Sequence, residues 1–336
     1  MLDIAKHLKI SQSAVSLALR NSPEVSPALC KRVQKSAEKM GYRPDPMLAS
    51  LIQYRHDKRS HPIAAELAWI NCWPNPKQLH SFRELDLYWQ GATAEAERAG
   101  YRLEEFVVNA QLSPARLQQI LTTRAIRGIL IPPHSTNPDW KGFQWDHFCV
   151  IRFGLSLPTP KTHVITSDQY ANAELAYLNI INLGYRCPGY VGNQGDPVYW
   201  RFALGFLARE FRRDPTNVVP TLFLNKANRA ESLKQLSIWI KKHRIDAIFS
   251  PASGMQQLLT DLGYRVPDDI GLATTSILDG NADTGINQNS EEIGKAAIQL
   301  LISLINHSEY GIPAVCREVL VEGTWVNGST LPMKVS

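Results

Sequence analysis

Along the first fifty residues the apolar positions recur in short bursts at helical spacing. Ile4, Ala5 and Leu8 form one stripe, and Val15, Ala18 and Leu19 form the next only a few residues later. Between them Ser11 is placed to cap the second helix, which leaves Gln12 and Ser13 at its exposed N-terminal end. A third pattern opens at Ser26, runs through Leu29, Val33, Ala37 and Met40, and stops at Gly41. Two short helices this close together have the layout of a helix-turn-helix, whose second helix enters the DNA major groove N-terminus first. Taken alone, short apolar stripes fit the plainer reading of any small three-helix domain.

The pattern then breaks. Arg43-Pro44-Asp45-Pro46 disfavours helix at the residue before each proline. Met47, Leu48 and Leu51 share one face of a short helix, with Pro46 tolerated at its first position, and a polar linker runs from Tyr54 to Pro62. From Ala64 the period changes repeatedly between strand and helix. Strands are expected at 66–73, 102–108, 128–132, 148–153, 163–166, 189–191, 219–224, 246–249 and 270–274, with 317–326 closing the pattern. Helices are expected at 85–99, 114–123, 170–183, 201–211, 231–243, 255–262 and 290–305. Such alternation means parallel sheet covered by helices on both faces, and the count suits two lobes. The expected organisation is therefore multidomain: an all-α headpiece over 1–43, a hinge helix and linker over 44–61, and a two-lobed α/β domain over 62–336.

Charge sharpens this division. Residues 1–60 hold eleven Lys and Arg against five Asp and Glu, whereas the remainder is nearly balanced at 25 against 26. The basic excess sits at the end expected to meet phosphates, and this stretch is patterned rather than low in complexity. The chain length of 336 residues allows two or three domains, and 44% apolar with 20% charged residues is a globular balance. No apolar run is long enough to span a bilayer, and the N-terminus is charged and amphipathic, unlike a signal-peptide core. Cys30, Cys72, Cys149, Cys187 and Cys316 are scattered without Cys-x-x-Cys spacing, which fits reduced thiols in a cytoplasmic protein.

The wording of the first fifty residues is specific. Asp-Ile-Ala at 3–5, Ile-Ser-x-x-x-Val-Ser-x-Ala-Leu at 10–19, Asn21, Val25-Ser26, Arg32-Val33 and Gly-Tyr-Arg-Pro at 41–44 resemble the lac-repressor/galactose-repressor family in register. The resemblance implies a DNA-binding headpiece, a hinge helix and an effector domain like the periplasmic binding proteins. Carried over by position, Gln12, Ser13 and Leu17 face base edges, and Ser11, Ser16, Asn21 and Ser26 contact phosphates. Leu51 matches the hinge leucine wedged into the minor groove, with Leu48 beside it on the hinge helix. Two departures bear on this. The family's capping threonine would fall one residue upstream of Met1, so either the start lies earlier or the first helix lacks a cap worth about 1 kcal/mol. Leu17 replaces a polar reader, and it can touch a thymine methyl but cannot bond guanine.

Fainter landmarks continue downstream: Leu-Gly-Tyr-Arg at 183–186, Gly205-Phe206, Asp-Ala-Ile-Phe at 246–249, Gly-Tyr-Arg-Val-Pro-Asp-Asp-Ile at 263–270, and Gly285 to Gln288 before Ile293-Gly294. The resemblance implies three lobe crossings, near 160–166, 284–290 and 315–321, around a ligand cleft. Sugar-binding members use an arginine, an Asn-Asp pair and an aspartate at positions that here hold Phe202, Ala252-Ser253 and Ser276, and Pro132 replaces an asparagine. Arg201 lies one residue from the arginine position; it reaches the cleft or forms a surface ion pair. Trp73, Trp89 and Trp200 are stacking platforms or core residues, and Asp168 lies beside a crossing.

No metalloprotease, phosphate-loop, nucleophile-elbow or dinucleotide motif occurs, and the nine histidines show no metal-ligand spacing. The expectation is a non-enzymatic transcription regulator, acting as a repressor, without cofactor or metal. Its expected partners are a pseudo-palindromic double-stranded operator, a small-molecule effector such as a sugar, and a second copy of itself in a homodimer. The alternative in the same fold is a solute-binding protein, which has no use for a helix-turn-helix.

Overall fold

A computed structural model describes residues 2–19, 25–40, 65–109, 111–134, 138–195, 197–280 and 282–334. The expected hinge helix with Leu48 and Leu51, the stop at Gly41, and Asn21 lie outside the described residues.

The headpiece is three helices, α1 (Leu2–Leu8), α2 (Gln12–Leu19) and α3 (Pro27–Lys39). Ile4, Ala5, Val15, Ala18, Val33 and Ala37 close into one buried cluster, as their spacing predicts. Cys30 joins that cluster, whereas Met40 ends α3 and is exposed, because the helix stops one residue before the stripe would. The α1–α2 turn is tight, with Lys9 in the left-handed region and the Ile10 N–H bonded back to the Ala5 carbonyl.

Beyond residue 64 two six-stranded sheets form the lobes. The first has the order β11 (Glu318–Val321), β5 (His163–Ser167), β4 (Cys149–Phe153), β3 (Gly128–Ile131), β1 (Ala65–Asn71) and β2 (Tyr101–Val107), all parallel. A short α4 (Pro76–Leu79), then α5 (Arg83–Arg98) and α6 (Pro114–Thr123), connect its strands. In the second sheet the order is β12 (Thr324–Val326), β10 (Gly285–Asn287), β9 (Gly271–Thr274), β8 (Ala247–Ser250), β6 (Pro188–Asn193) and β7 (Leu222–Leu224). Only the β10–β12 pair is antiparallel. Its helices are α7 (Gln169–Asn182), α8 (Pro197–Arg213), α9 (Arg229–His243) and α10 (Met255–Asp261); α11 (Ser290–His307) returns to pack on the first sheet.

Alternation within a strand separates two cores per lobe. Leu67 and Trp69 face α5 and α11, while Ala68 and Ile70 face Leu117 and Leu121 of α6. In the second lobe Tyr190 and Phe249 pack with α7 and α8, and Val191 and Ile248 pack with α9 and α10. Both lobes join a helix pair by backbone contact at glycine. A Cβ on Gly294 would stand 2.2 Å from the Tyr88 carbonyl oxygen, and one on Gly205 would stand 2.3 Å from that of Tyr170.

The chain changes lobe between β5 and α7, between β10 and α11, and between β11 and β12. The first and third crossings thus fall a few residues later than expected, because β5 and β11 run their full length inside the first sheet before the chain leaves it. The expected strand at 317–326 is two strands, one in each sheet, and β10 is an additional strand.

Candidate functional sites

At the N-terminus of α2 the Ser11 hydroxyl accepts the Ala14 N–H at 3.1 Å, the expected cap. Gln12 is exposed as the first residue of that helix and Leu17 is half-buried; Ser13 and Ser16 lie on the same helix. Ser26 caps α3 by accepting the Leu29 N–H at 3.3 Å. Both capping serines are exposed, so each hydroxyl lies at the surface that a phosphate would approach.

A cleft of about 380 Å³ lies between the lobes, at the carboxyl ends of the parallel strands, where α/β sheets commonly bind ligands. Its apolar faces are Trp73, Phe82, Tyr88, Tyr199 and Phe202. The Trp73 indole donates to the Pro133 carbonyl at 2.8 Å, which fixes the ring at the wall. Thr166, Gln169, Lys226, Ser253, Ser276 and Gln288 supply polar atoms.

Two carboxylates define the cleft's electrostatics. Asp279, on the loop after β9, reaches across to the first lobe and accepts the Arg83 N–H at 2.8 Å and the Glu84 N–H at 3.0 Å. The residue in the N-cap position of α5 is Phe82, which has no side-chain acceptor, so the helix receives its cap from the opposite lobe. Burial raises the Glu84 carboxyl to about 7, against the lowering effect of its Ser276 hydrogen bond and with a smaller push from the Asp279 charge. Glu84 Oε1 and Gln169 Oε1 are buried and find no hydrogen-bond partner among the described residues. The Gln169 amide nitrogen donates to Thr166 at 2.8 Å, so its oxygen is left for something else.

Of the effector residues expected from sequence, Trp73 and Ser276 line the cleft. The other four do not. Trp89 packs edge-on against Trp69 at 5.4 Å, beside the first-lobe core. Trp200 is 52% exposed and stacks on Phe223 at 4.2 Å, because α8 begins at Pro197 and its phase turns Tyr199 to the cleft. Asp168 caps α7, accepting the Ala171 N–H at 3.0 Å. Arg201 pairs with Glu318 of the other lobe at 3.1 Å, half-exposed, outside the cleft lining. Of the positions aligned with sugar-clamping residues, Phe202, Ser253 and Ser276 line the cleft, whereas Ala252 and Pro132 do not. The charged and amide groups come instead from Glu84, Gln169, Lys226, Asp279 and Gln288. Of these, Gln288 sits within a sequence landmark and Gln169 adjoins the candidate Asp168; Glu84 and Asp279 carry no local signal.

Among the described residues no group of three or more His, Cys, Asp or Glu could hold a metal ion, and no helix is long and apolar enough to cross a membrane.

Residues 1–45 match the family model described as "Bacterial regulatory proteins, lacI family". No curated protein matches the chain in sequence. Similar solved structures include a transcriptional regulator CelR–cellobiose complex, 17% identical with a TM-score of 0.56, covering 97% of this chain and 98% of that one. The lac repressor dimer bound to operator and the anti-inducer ONPF is 15% identical with a TM-score of 0.52, covering 98% of each chain. A LacI transcriptional regulator from a Rhodococcus species is 16% identical with a TM-score of 0.58, covering 80% of this chain and 98% of that one. Over its first 45 residues the chain matches the lacI family of bacterial regulatory proteins, and with the two lobes beyond the headpiece it shares the fold of these solved regulators.

Proposed function

We propose that this protein is a cytoplasmic, non-enzymatic transcription regulator that represses by binding a pseudo-palindromic operator as a homodimer, with its operator affinity set by a small molecule held between the lobes. The observation that carries the reading is the coexistence in one chain of a lacI-family headpiece and a cleft with unsatisfied buried acceptors. Gln12, Ser13 and Leu17 read bases, while Ser11, Ser16, Asn21 and Ser26 hold phosphates. Leu48 and Leu51 form the minor-groove element.

The cleft favours a neutral, hydroxyl-rich effector. Glu84 Oε1 and Gln169 Oε1 accept hydrogens, Asp279 adds negative charge, and Lys226 is the cleft-lining cation among the described residues. Hydroxyl donors satisfy these acceptors, and the aromatic faces cover the apolar side of a sugar ring. Cellobiose in the CelR neighbour belongs to the same chemical class.

Selection of a binding site from random duplexes, with sizing of the complex and titration with a panel of neutral mono- and disaccharides, tests the proposal. A two-fold site bound by two chains, with affinity changed by one of the sugars, is the expected result. Equal affinity for selected and unselected duplexes would sink it.

A further inference from the structure

We propose that the second lobe carries a separate site for a small, multiply charged anion of the phosphate or pyrophosphate class, in a cavity of about 670 Å³ away from the cleft. Three cation-bearing segments meet there beside Tyr177 of α7: Arg186 and Cys187 before β6, the end of α8 with Arg213, and the end of α9 with Lys242, His243 and Arg244. Arg186, Arg213, Lys242 and Arg244 have no carboxylate partner among the described residues, whereas the neighbouring Arg212 is taken up by Glu174 at 2.7 Å.

The two aspartates nearby are committed. Asp214 accepts the Thr216 N–H at 3.0 Å and its hydroxyl at 2.7 Å, which holds the turn after α8. Asp246 accepts the Arg186 and Cys187 N–H groups and pairs with Lys334. Glu210 is 5% exposed; its Oε1 accepts the Val219 N–H at 2.9 Å, and its Oε2 is buried without a partner among the described residues.

Cations at helix C-termini also complement the helix dipole, and the arithmetic decides whether that accounts for them. Two helix ends contribute about −1 in total, and Asp214 another −1, against four full positive charges. The cavity keeps about +2 when Glu210 is protonated and about +1 when it is not. Helix capping therefore leaves an excess for an anion to neutralise.

Arg213 is also set in position by neutral acceptors. One terminal nitrogen donates to the Tyr177 hydroxyl at 3.2 Å and to the Arg186 carbonyl at 3.3 Å. That leaves the other terminal nitrogen and Nε to form the paired bonds that guanidinium makes to phosphate. A partly open cavity of this size suits a small molecule, with Tyr177 at its floor holding Arg213 in place.

The test is calorimetric titration of the full-length protein with inorganic pyrophosphate at constant ionic strength, with sodium chloride as reference. One pyrophosphate per chain is expected. Arg213→Gln and Lys242→Gln, both at exposed positions, should each weaken binding about tenfold, as loss of a charge-assisted contact predicts. Lys226→Gln, in the cleft and outside this cavity, should leave pyrophosphate binding unchanged. The proposal is overturned by the absence of saturable binding above the chloride reference, by binding that survives the Arg213→Gln/Lys242→Gln double substitution, or by loss in Lys226→Gln instead. Failure of pyrophosphate to bind while an acidic peptide or random-sequence duplex does so through Arg213 would also overturn it, by assigning the patch to a macromolecule.

Discussion

Asp279 offers the most direct test of how the lobes are held together. Its two carboxylate oxygens satisfy two N–H groups at the start of α5, a helix whose own N-cap residue is Phe82. Replacing a capping acceptor by alanine typically costs about 1 kcal/mol, and a carboxylate at a partly enclosed helix N-terminus adds about 0.3–2 kcal/mol. Part of this is offset by relief of Glu84, whose ionisation the Asp279 charge opposes. Asp279→Ala should therefore shift the lobes toward opening by about 1–2 kcal/mol, a factor of roughly 5–30 in the closed-to-open ratio. Asp279→Asn keeps one acceptor of nearly the same shape and should show about half the effect. Fluorescence transfer between labels on the two lobes, with small-angle scattering of the unlabelled protein, measures the shift. If both variants keep the wild-type distance distribution and radius, the contact adds nothing to closure and the reasoning fails.

Glu84 makes closure sensitive to pH. Its carboxyl is raised from an ordinary 4.5 to about 7 by burial, so the closed arrangement holds a proton that an opened, solvated Glu84 releases. Closure should therefore strengthen as pH falls from about 7 toward 4.5, and the same labelled protein carrying Glu84→Gln should lose that dependence. At the α5–α11 crossing, Gly294→Ala sets a Cβ against the Tyr88 backbone oxygen, which no side-chain rotation relieves. It should cost on the order of 3 kcal/mol, or about 6–12 °C in Tm, while Gly254→Ala, with open space around it, should stay near wild type. On DNA, Gln12→Ala should reorder base preference in a selection assay and leave the salt slope unchanged; an altered slope with unaltered preference would contradict a base-reading role. Leu51→Ala should weaken operator binding and reduce duplex bending without changing dimerisation, and normal bending would refute the wedge.

Where the sequence is informative, the information is local. α6 runs from Pro114 to Thr123 as its pattern predicts, because Ser113 caps it through the Arg116 N–H and Pro114 occupies a position that needs no donor. The headpiece is equally readable from its caps and stripes. β10 is not legible because three residues carry no period, and its partner β12 lies some forty residues further on. Trp200 rather than Tyr199 stands out in the sequence because helical phase cannot be set until the first residue is known, and α8 starts four residues before its expected onset. The cleft's carboxylates are invisible for a deeper reason. Asp279 acquires its role from a helix almost two hundred residues away, and Glu84 from its burial in the folded cleft.

Helix α8 has a mechanical property that stems from Gly205. The glycine stands at the ninth of seventeen positions and rests on the Tyr170 backbone without an intervening side chain, so a tilt of the helix would pivot at its midpoint. Tyr199 and Phe202 lie on one side of that pivot at the cleft, and Arg213 lies on the other in the cationic cavity. A rod about 25 Å long, tilting by about 5° around its centre, displaces each end by about 1 Å in opposite directions. That is the scale of helix shift on which ligand-driven switching operates. A tilt of that size would move the cleft end and the cationic-cavity end of α8 together, and would strain the Arg201–Glu318 pair that ties the cleft arm to the first lobe.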